Sequence, residues 1–231
     1  MKLAIITGAS RGIGQQTAEL FLEHGWQVIG LSRTAPPYPA ILHIPVDLNH
    51  FDIQQFEPVW IEQLKKATQI CFIHCAGIIT PDSIERFDTN VFQHMFQVNV
   101  LSAIKLSQFL IPFMPKRSSI ILVGSTLSYI GVPESCSYII SKHALLGLMH
   151  SLTYDLAHRE IHTCCVCPGF VETEMIQELA VKRQCDMNDF KSIQLFNRFI
   201  QPEEIANLIY FCAENPVING GMIQANQGQN R

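Results

Sequence analysis

Along the chain, short runs that are apolar throughout alternate with segments whose apolar positions recur every three or four residues. The continuous runs are Leu3–Thr7, Gln27–Ser32, Ile41–Val46, Gln69–His74, Ser119–Ser125, His162–Cys167 and Gly221–Ala225. Runs without strict alternation fit parallel strands covered on both faces. The segments between them carry a helical period. In the first, Ile13, Thr17, Leu20, Phe21 and His24 share a face, and Gly25 is a helix stop signal. Segments 51–67, 85–114, 138–159 and 202–214 read similarly. The last opens on Pro202-Glu203-Glu204, with proline in the first turn and acids at the positive end of the helix dipole. Strand–helix alternation throughout predicts an α/β fold. We expect a doubly wound, Rossmann-type parallel sheet of seven strands with helices on both faces, in a single domain over 1–231.

One link breaks the alternation. Arg33–Ala40, between the second and third strands, holds Pro36, Pro37 and Pro39. It is too short and too proline-rich for a crossover helix. An extended, polyproline-like connection is expected there, with one uncovered patch of sheet.

Composition narrows the class of protein. The 231 residues are 48% hydrophobic and 16% charged, against about 25% charged in an average soluble domain. A net charge of −4 gives no electrostatic footprint for nucleic acid or an anionic membrane. No apolar run approaches the ~18 residues that span a bilayer, and nothing at the start reads as a secretory signal. The eight cysteines form no CxxC pair and sit mostly in apolar runs. They read as buried free thiols, with Cys164-Cys165-Val166-Cys167 a strand rather than a metal site, because alternate residues face opposite ways. A cytoplasmic location is expected.

The first strand passes into the first helix through Thr7-Gly8-Ala9-Ser10-Arg11-Gly12-Ile13-Gly14. Glycines there let backbone N–H groups approach a pyrophosphate seated at the positive end of the helix. The strand–turn–helix context is what gives such a motif meaning. Gly8, Ser10, Arg11, Gly12, Ile13 and Gly14 are therefore candidate cofactor ligands. At the end of the second strand, where NAD-binding folds place an acid for the ribose 2′-OH, this chain has Ser32-Arg33. An arginine suits a 2′-phosphate. NADP(H) is accordingly favoured over NAD(H), with Arg33 as the main cation and Arg11 as a second.

Tyr138 and Lys142 lie four apart, on one helical face. Ser125 ends a buried strand at the carboxyl edge where open α/β sheets bind ligands. Asn99 sits inside an otherwise apolar helical segment. With Asp47-Leu48, Ala76-Gly77, Pro168-Gly169-Phe170-Val171-Glu172-Thr173 and the Gly220-Gly221…Gly228 tail, these residues run in the order of one known family. Over essentially its whole length the chain resembles a short-chain dehydrogenase/reductase. In pattern it is most similar to NADP-dependent 3-oxoacyl-carrier-protein-reductase-like members.

That resemblance implies roles, position by position. Tyr138 would be the general acid in carbonyl reduction, or the base in alcohol oxidation. Because a free tyrosine ionises near ~10, it needs a cation beside it. Lys142 would supply that cation and hold the nicotinamide ribose. Ser125 would hydrogen-bond the substrate carbonyl. Asn99 would hold a water linking Lys142 to solvent. Asp47, with Leu48, would face the adenine; Ala76 and Gly77 would line the cofactor cleft. Val171 and Thr173, after the Pro168-Gly169 turn, would bind the carboxamide. Helices 85–114 and 138–159 would form the contact of a homodimer or homotetramer.

Two positions depart from the family. Its usual Asn-Asn-Ala-Gly is His74-Cys75-Ala76-Gly77 here. His74 reads as a packed, hydrogen-bonded histidine rather than a catalytic one. His143, His150 and His158 read as a solvated or subunit-facing stripe, and no metal is expected. Segment 174–199 should cover the substrate, with Met175, Ile176, Leu179, Ile193, Leu195 and Phe196 lining an apolar pocket. Lys116, Arg117 and Arg159 resemble the basic patch that holds an acidic carrier protein. The leading expectation is an NADP(H)-dependent oxidoreductase acting on a small carbonyl or secondary alcohol. The alternatives are an NAD-dependent alcohol dehydrogenase and a non-catalytic dinucleotide-binding sensor or scaffold.

Overall fold

The computed structural model describes residues 1–53 and 57–229. Seven parallel strands lie in the order 3-2-1-4-5-6-7: β1 Lys2–Thr7, β2 Gln27–Ser32, β3 Leu42–Pro45, β4 Gln69–His74, β5 Ser119–Val123, β6 His162–Pro168 and β7 Gly221–Ala225. The chain winds outward from β1 to β3, then returns to place β4 on the other side of β1. Thr7 therefore pairs with Leu31 on one flank and His74 on the other. A crevice opens at this reversal, above the carboxyl ends of the strands, and ligands bind there in sheets of this kind.

The two faces are separated by the strand period of two. Leu3 and Ile5 face one layer, which holds Trp60, Leu106, Leu110, Leu145 and Met149. Ala4 and Ile6 face the other, with Phe21, Ile205, Ile209 and Cys212. The first layer is built by α2 (Glu57–Lys66), α4 (Ser102–Leu110) and α5 (Cys136–Asp155). The second is built by α1 (Gly12–Glu23) and α8 (Pro202–Glu214). In β6, Cys165 and Cys167 join the first layer while Cys164 joins the second, so the cysteine run is a buried strand. All eight cysteines are free.

The link between β2 and β3 has no helix, as its prolines require. The expected bare patch is nevertheless filled. Gly30 on β2 leaves room into which Pro36 and Ile41 fold, each within 3.2 Å of where its Cβ would be. Ile41 and Tyr38 pack into the same layer as α1. The link covers the sheet with its own side chains.

The segment expected as one helix over 85–114 is divided. A 3₁₀ turn spans Ile84–Arg86. α3 (Thr89–Phe96) then starts where Asp88 accepts hydrogen bonds from the Asn90 and Val91 amides at 2.7 and 3.3 Å. A π-helical turn, Gln97–Leu101, widens the helix before α4, and a final 3₁₀ turn containing Pro112 ends it. The π turn carries Asn99.

Two cations of the basic patch have partners within the chain. Arg159 spends its guanidinium on the carbonyls of Ile111 and Met114, both at 2.8 Å. Lys116 pairs with Glu160. Both lie just before the amino end of β5 or β6, at the opposite edge of the sheet from the crevice, where they tie the loops together. His143, His150 and His158 are exposed on α5 and the turn after it. No helix among the described residues is long and apolar enough to cross a membrane.

Candidate active site

The crevice is a cavity of about 1160 Å³. Ile13, Gly77, Ser125, Tyr138, Lys142, Pro168, Gly169, Val171 and Thr173 all lie on its wall. The sequence-derived candidates for the reacting centre and for the nicotinamide end thus come together, with Asn99 directly behind them.

The glycine turn is tight. Gly8 and Gly12 have φ of +68° and +55°, in the left-handed region that favours glycine. A Cβ on Gly14 would lie 2.2 Å from the Gly8 carbonyl oxygen. α1 therefore starts pressed against the turn. Arg11, at its N-cap, makes no side-chain capping bond. The amides of its first turn are left for an anion, a fit for the diphosphate of a dinucleotide. Ser10 sits in the middle of this turn.

Tyr138 and Lys142 are both buried on α5. The Lys142 ammonium lies 5.5 Å from the centre of the Tyr138 ring and donates to the Val123 carbonyl at 2.8 Å. Ser125 is fixed by a reciprocal turn. Its amide donates to Ser128 Oγ, and its Oγ accepts from the Leu127 amide, both at 3.1 Å. Its own hydroxyl hydrogen is unspent among the described residues. Ser128, three residues on, is a contributor that the Ser-x-x-Ser spacing already announces.

The Asn99 amide is fully engaged within the protein. It accepts from the Ile78 amide at 2.8 Å and donates to the Ile78 carbonyl and to Ser141 Oγ, both at 3.0 Å. Asn99 Oδ1 and Lys142 Nζ each come within 3.6 Å of the Cβ position of Gly77, so glycine lets the loop pass between them. Behind Asn99 lies His74. Its Nδ1 faces Thr7 Oγ1 at 3.0 Å and its Nε2 faces the Asn99 carbonyl at 3.2 Å. Thr7 Oγ1 also accepts from the Ala76 amide at 3.0 Å. A carbonyl can only accept, so Nε2 carries the hydrogen and the Thr7 hydroxyl donates to Nδ1. Burial, and then the nearby Lys142 charge, lower the His74 pKa to about 3, so the ring is neutral. His74 thus braces the β1 turn against the π turn of Asn99. Only a through-space partner reveals what the Thr7 and Ser141 hydroxyls do. Cys75 borders the cavity, and burial pushes its thiol up to about 12, leaving it protonated.

The adenosine end is less tightly built. Ser32 is buried and turns its hydroxyl to the Thr34 carbonyl at 2.7 Å. Arg33 is exposed and makes no side-chain hydrogen bond among the described residues. Asp47 is exposed and accepts from the Asn49 amide at 3.0 Å. Leu48 is buried in the core, so its side chain packs rather than faces the cleft. Arg11, expected as a second phosphate cation, meets Glu178 at 3.3 Å, both half exposed.

The covering segment forms α6 (Glu174–Arg183) and α7 (Met187–Ile193). Met175, Ile176, Leu179 and Ile193 line the cavity, joined by Phe170 and Phe190, which stack with ring centres 4.8 Å apart. Leu195 and Phe196 do not line it. They lie beyond α7, 59% and 69% exposed, with Leu195 folded onto Gly228. Among the described residues no group of three His, Cys, Asp or Glu side chains is placed to hold a metal ion.

Comparison with known proteins agrees with this geometry. A family described as short chain dehydrogenase matches residues 2–184. The 3-oxoacyl-[acyl-carrier-protein] reductase FabG of Thermotoga maritima is 30% identical, over 98% of this chain and 97% of that protein. A short chain dehydrogenase family protein from Francisella tularensis superposes with a TM-score of 0.87 at 28% identity, over 98% of this chain and 97% of its own. Ligand-free aldohexose dehydrogenase of Thermoplasma acidophilum gives 0.89 at 27% identity, over 98% and 93%. The chain belongs to the short chain dehydrogenase family and is an oxidoreductase of that family.

Proposed function

We propose that this short chain dehydrogenase transfers a hydride between NADP(H) and a small carbonyl or secondary alcohol. The observation that carries the reading is the buried Tyr138–Lys142 pair on the cavity wall that also holds Ser125, beside a glycine turn whose helix has no cap of its own. The dinucleotide, when bound, supplies or accepts the hydride. The chain's own residues bind, orient and move a proton. The first-turn amides of α1 hold the diphosphate, and Arg33 takes the 2′-phosphate by charge-assisted bonding. Ser125 donates to the substrate oxygen and stabilises charge developing there. Tyr138 delivers a proton to that oxygen in reduction and removes it in oxidation. Lys142 holds ribose hydroxyls and keeps positive charge beside Tyr138. The preference for NADP(H) rests on Arg33 and on the absence of an acid near it at the end of β2. FabG of T. maritima is named for reduction of a carrier-bound 3-oxoacyl group, which supports the reductive direction.

Leu101, Ile104 and Ile140, on the π turn, α4 and α5, are exposed apolar residues. They support assembly of a homodimer or homotetramer through these helices.

The test is direct. Purified protein should oxidise NADPH in the presence of a carbonyl from a broad panel. Tyr138→Phe should abolish turnover, since the lost hydroxyl is the proton donor, while NADPH still binds. Undiminished turnover in that variant would end the mechanism. Tight NADPH binding with no turnover across the panel would favour a non-catalytic sensor.

A further inference from the structure

The helix that carries Tyr138 begins without a cap of its own. Ser135 is its N-cap residue, yet the Ser135 side chain makes no bond to the first turn of α5. That hydroxyl instead donates to the Pro133 carbonyl at 3.4 Å and accepts from the Arg183 guanidinium at 2.6 Å. The first amides of α5 need other acceptors. Asp82, 7% exposed in the loop after β4, supplies them. Its backbone carbonyl accepts from the Cys136 amide at 3.3 Å. Its carboxylate accepts from the Ser137 amide at 3.0 and 3.3 Å, and from the Ser137 hydroxyl. A negative group at this end also suits the helix dipole.

The attachment has a partner one turn along. Ser137 and Ser141 lie four apart and are both fully buried. Asp82 holds the first; Asn99 holds the second through Nδ2 at 3.0 Å. Asn99 in turn grips Ile78, in the same loop as Asp82. The loop after β4 is thus tied to one stripe of α5 at two successive turns. The adjoining stripe is Tyr138 and Lys142. Each residue of a helix is rotated by about 100° from the next, so fixing 137 and 141 sets the direction in which 138 and 142 point.

We infer that Asp82 is a positioning residue: it caps the catalytic helix from another loop and thereby aims Tyr138 at the substrate oxygen. The inference rests on the role proposed for Tyr138 above. Asp82 does not line the cavity, and its carboxylate reaches the reacting centre through Ser137.

Two substitutions and one structural readout test it. Asp82→Ala removes the side-chain acceptors. A catalytic group displaced by about 1 Å costs on the order of 100-fold, so kcat should fall by about that factor. KM and the Kd for NADPH should stay within about threefold. Asp82→Asn keeps an acceptor for the Ser137 amide and should recover kcat to within about tenfold of wild type. Hydrogen exchange at the Ser137 amide should speed up about tenfold in Asp82→Ala, with amides of α5 beyond Lys142 unchanged. Wild-type kcat in Asp82→Ala overturns the inference, as does Asp82→Asn proving no better than Asp82→Ala. If the wild-type protein turns over no carbonyl, the proposed function has failed instead. The exchange measurement still judges the anchor, and equal rates at Ser137 in both proteins reject it.

Discussion

Replacing His74 by asparagine should flatten the loss of stability on acidification. In the folded protein the ring is held neutral between Thr7 and Asn99, with a pKa lowered to about 3 from an ordinary 6.5. Below pH 6.5 the unfolded chain takes up a proton at this site and the folded chain does not. The unfolded state binds more protons, so stability falls as pH falls through that window. Below about 3 both states are protonated and the effect is exhausted. Each pH unit is worth about 1.36 kcal/mol, so the gap between 6.5 and about 3 represents at most about 5 kcal/mol. At about 2–4 °C per kcal/mol for a domain of this size, the ceiling is a fall in Tm of about 10–20 °C. An asparagine can still accept from Thr7 through Oδ1, and it does not titrate. Buried His162, whose pKa is also lowered by burial, and the carboxylates contribute equally to both proteins, so the difference isolates His74. The assay is thermal melting from pH 7 to pH 4, which crosses about 2.5 of those units, so wild type should lose up to about 3.4 kcal/mol, or about 7–14 °C, more than His74→Asn. Parallel loss of Tm in the two would refute the neutral, doubly bonded histidine.

Two further outcomes test the cofactor end. Gly14→Ala would force a methyl to 2.2 Å from the Gly8 carbonyl. Relief of that clash opens the turn, so NADPH binding measured by fluorescence titration should weaken by about 100-fold or more, as two charge-assisted bonds at about 1.5–3 kcal/mol each are lost. Unchanged affinity would show that the turn is not the diphosphate seat. Arg33→Ala should weaken NADPH about tenfold or more and leave NADH unaffected; tighter binding of NADH than NADPH by the wild-type protein would overturn the cofactor preference.

Much of this architecture is written locally. The strands from β1 to β7 fall within a residue or two of the apolar runs, because a buried parallel strand must be apolar on both faces. The glycine turn, Ser125 and the Tyr138–Lys142 pair are legible because their spacing follows strand ends and helix turns. What stayed hidden depends on distant partners. The π turn at Asn99 leaves no mark in a segment that is apolar on nearly every side. Arg159 reads as a surface cation until the carbonyls of Ile111 and Met114 are seen around it. Asp82 sits in an ordinary Pro-Asp-Ser stretch of loop, and only the arrival of α5 gives it a task. Leu195 and Phe196 share the composition of the pocket residues, yet the turn after α7 carries them outside.

The proline link between β2 and β3 has a consequence for affinity. With φ fixed at three positions and Pro36 wedged against Gly30, the backbone next to Arg33 is stiff before any ligand arrives. A flexible loop must surrender its freedom when it grips an anion. Here that freedom is already gone when the chain folds, so Arg33 would meet the proposed 2′-phosphate from a rigid mount, with only its side chain left to settle.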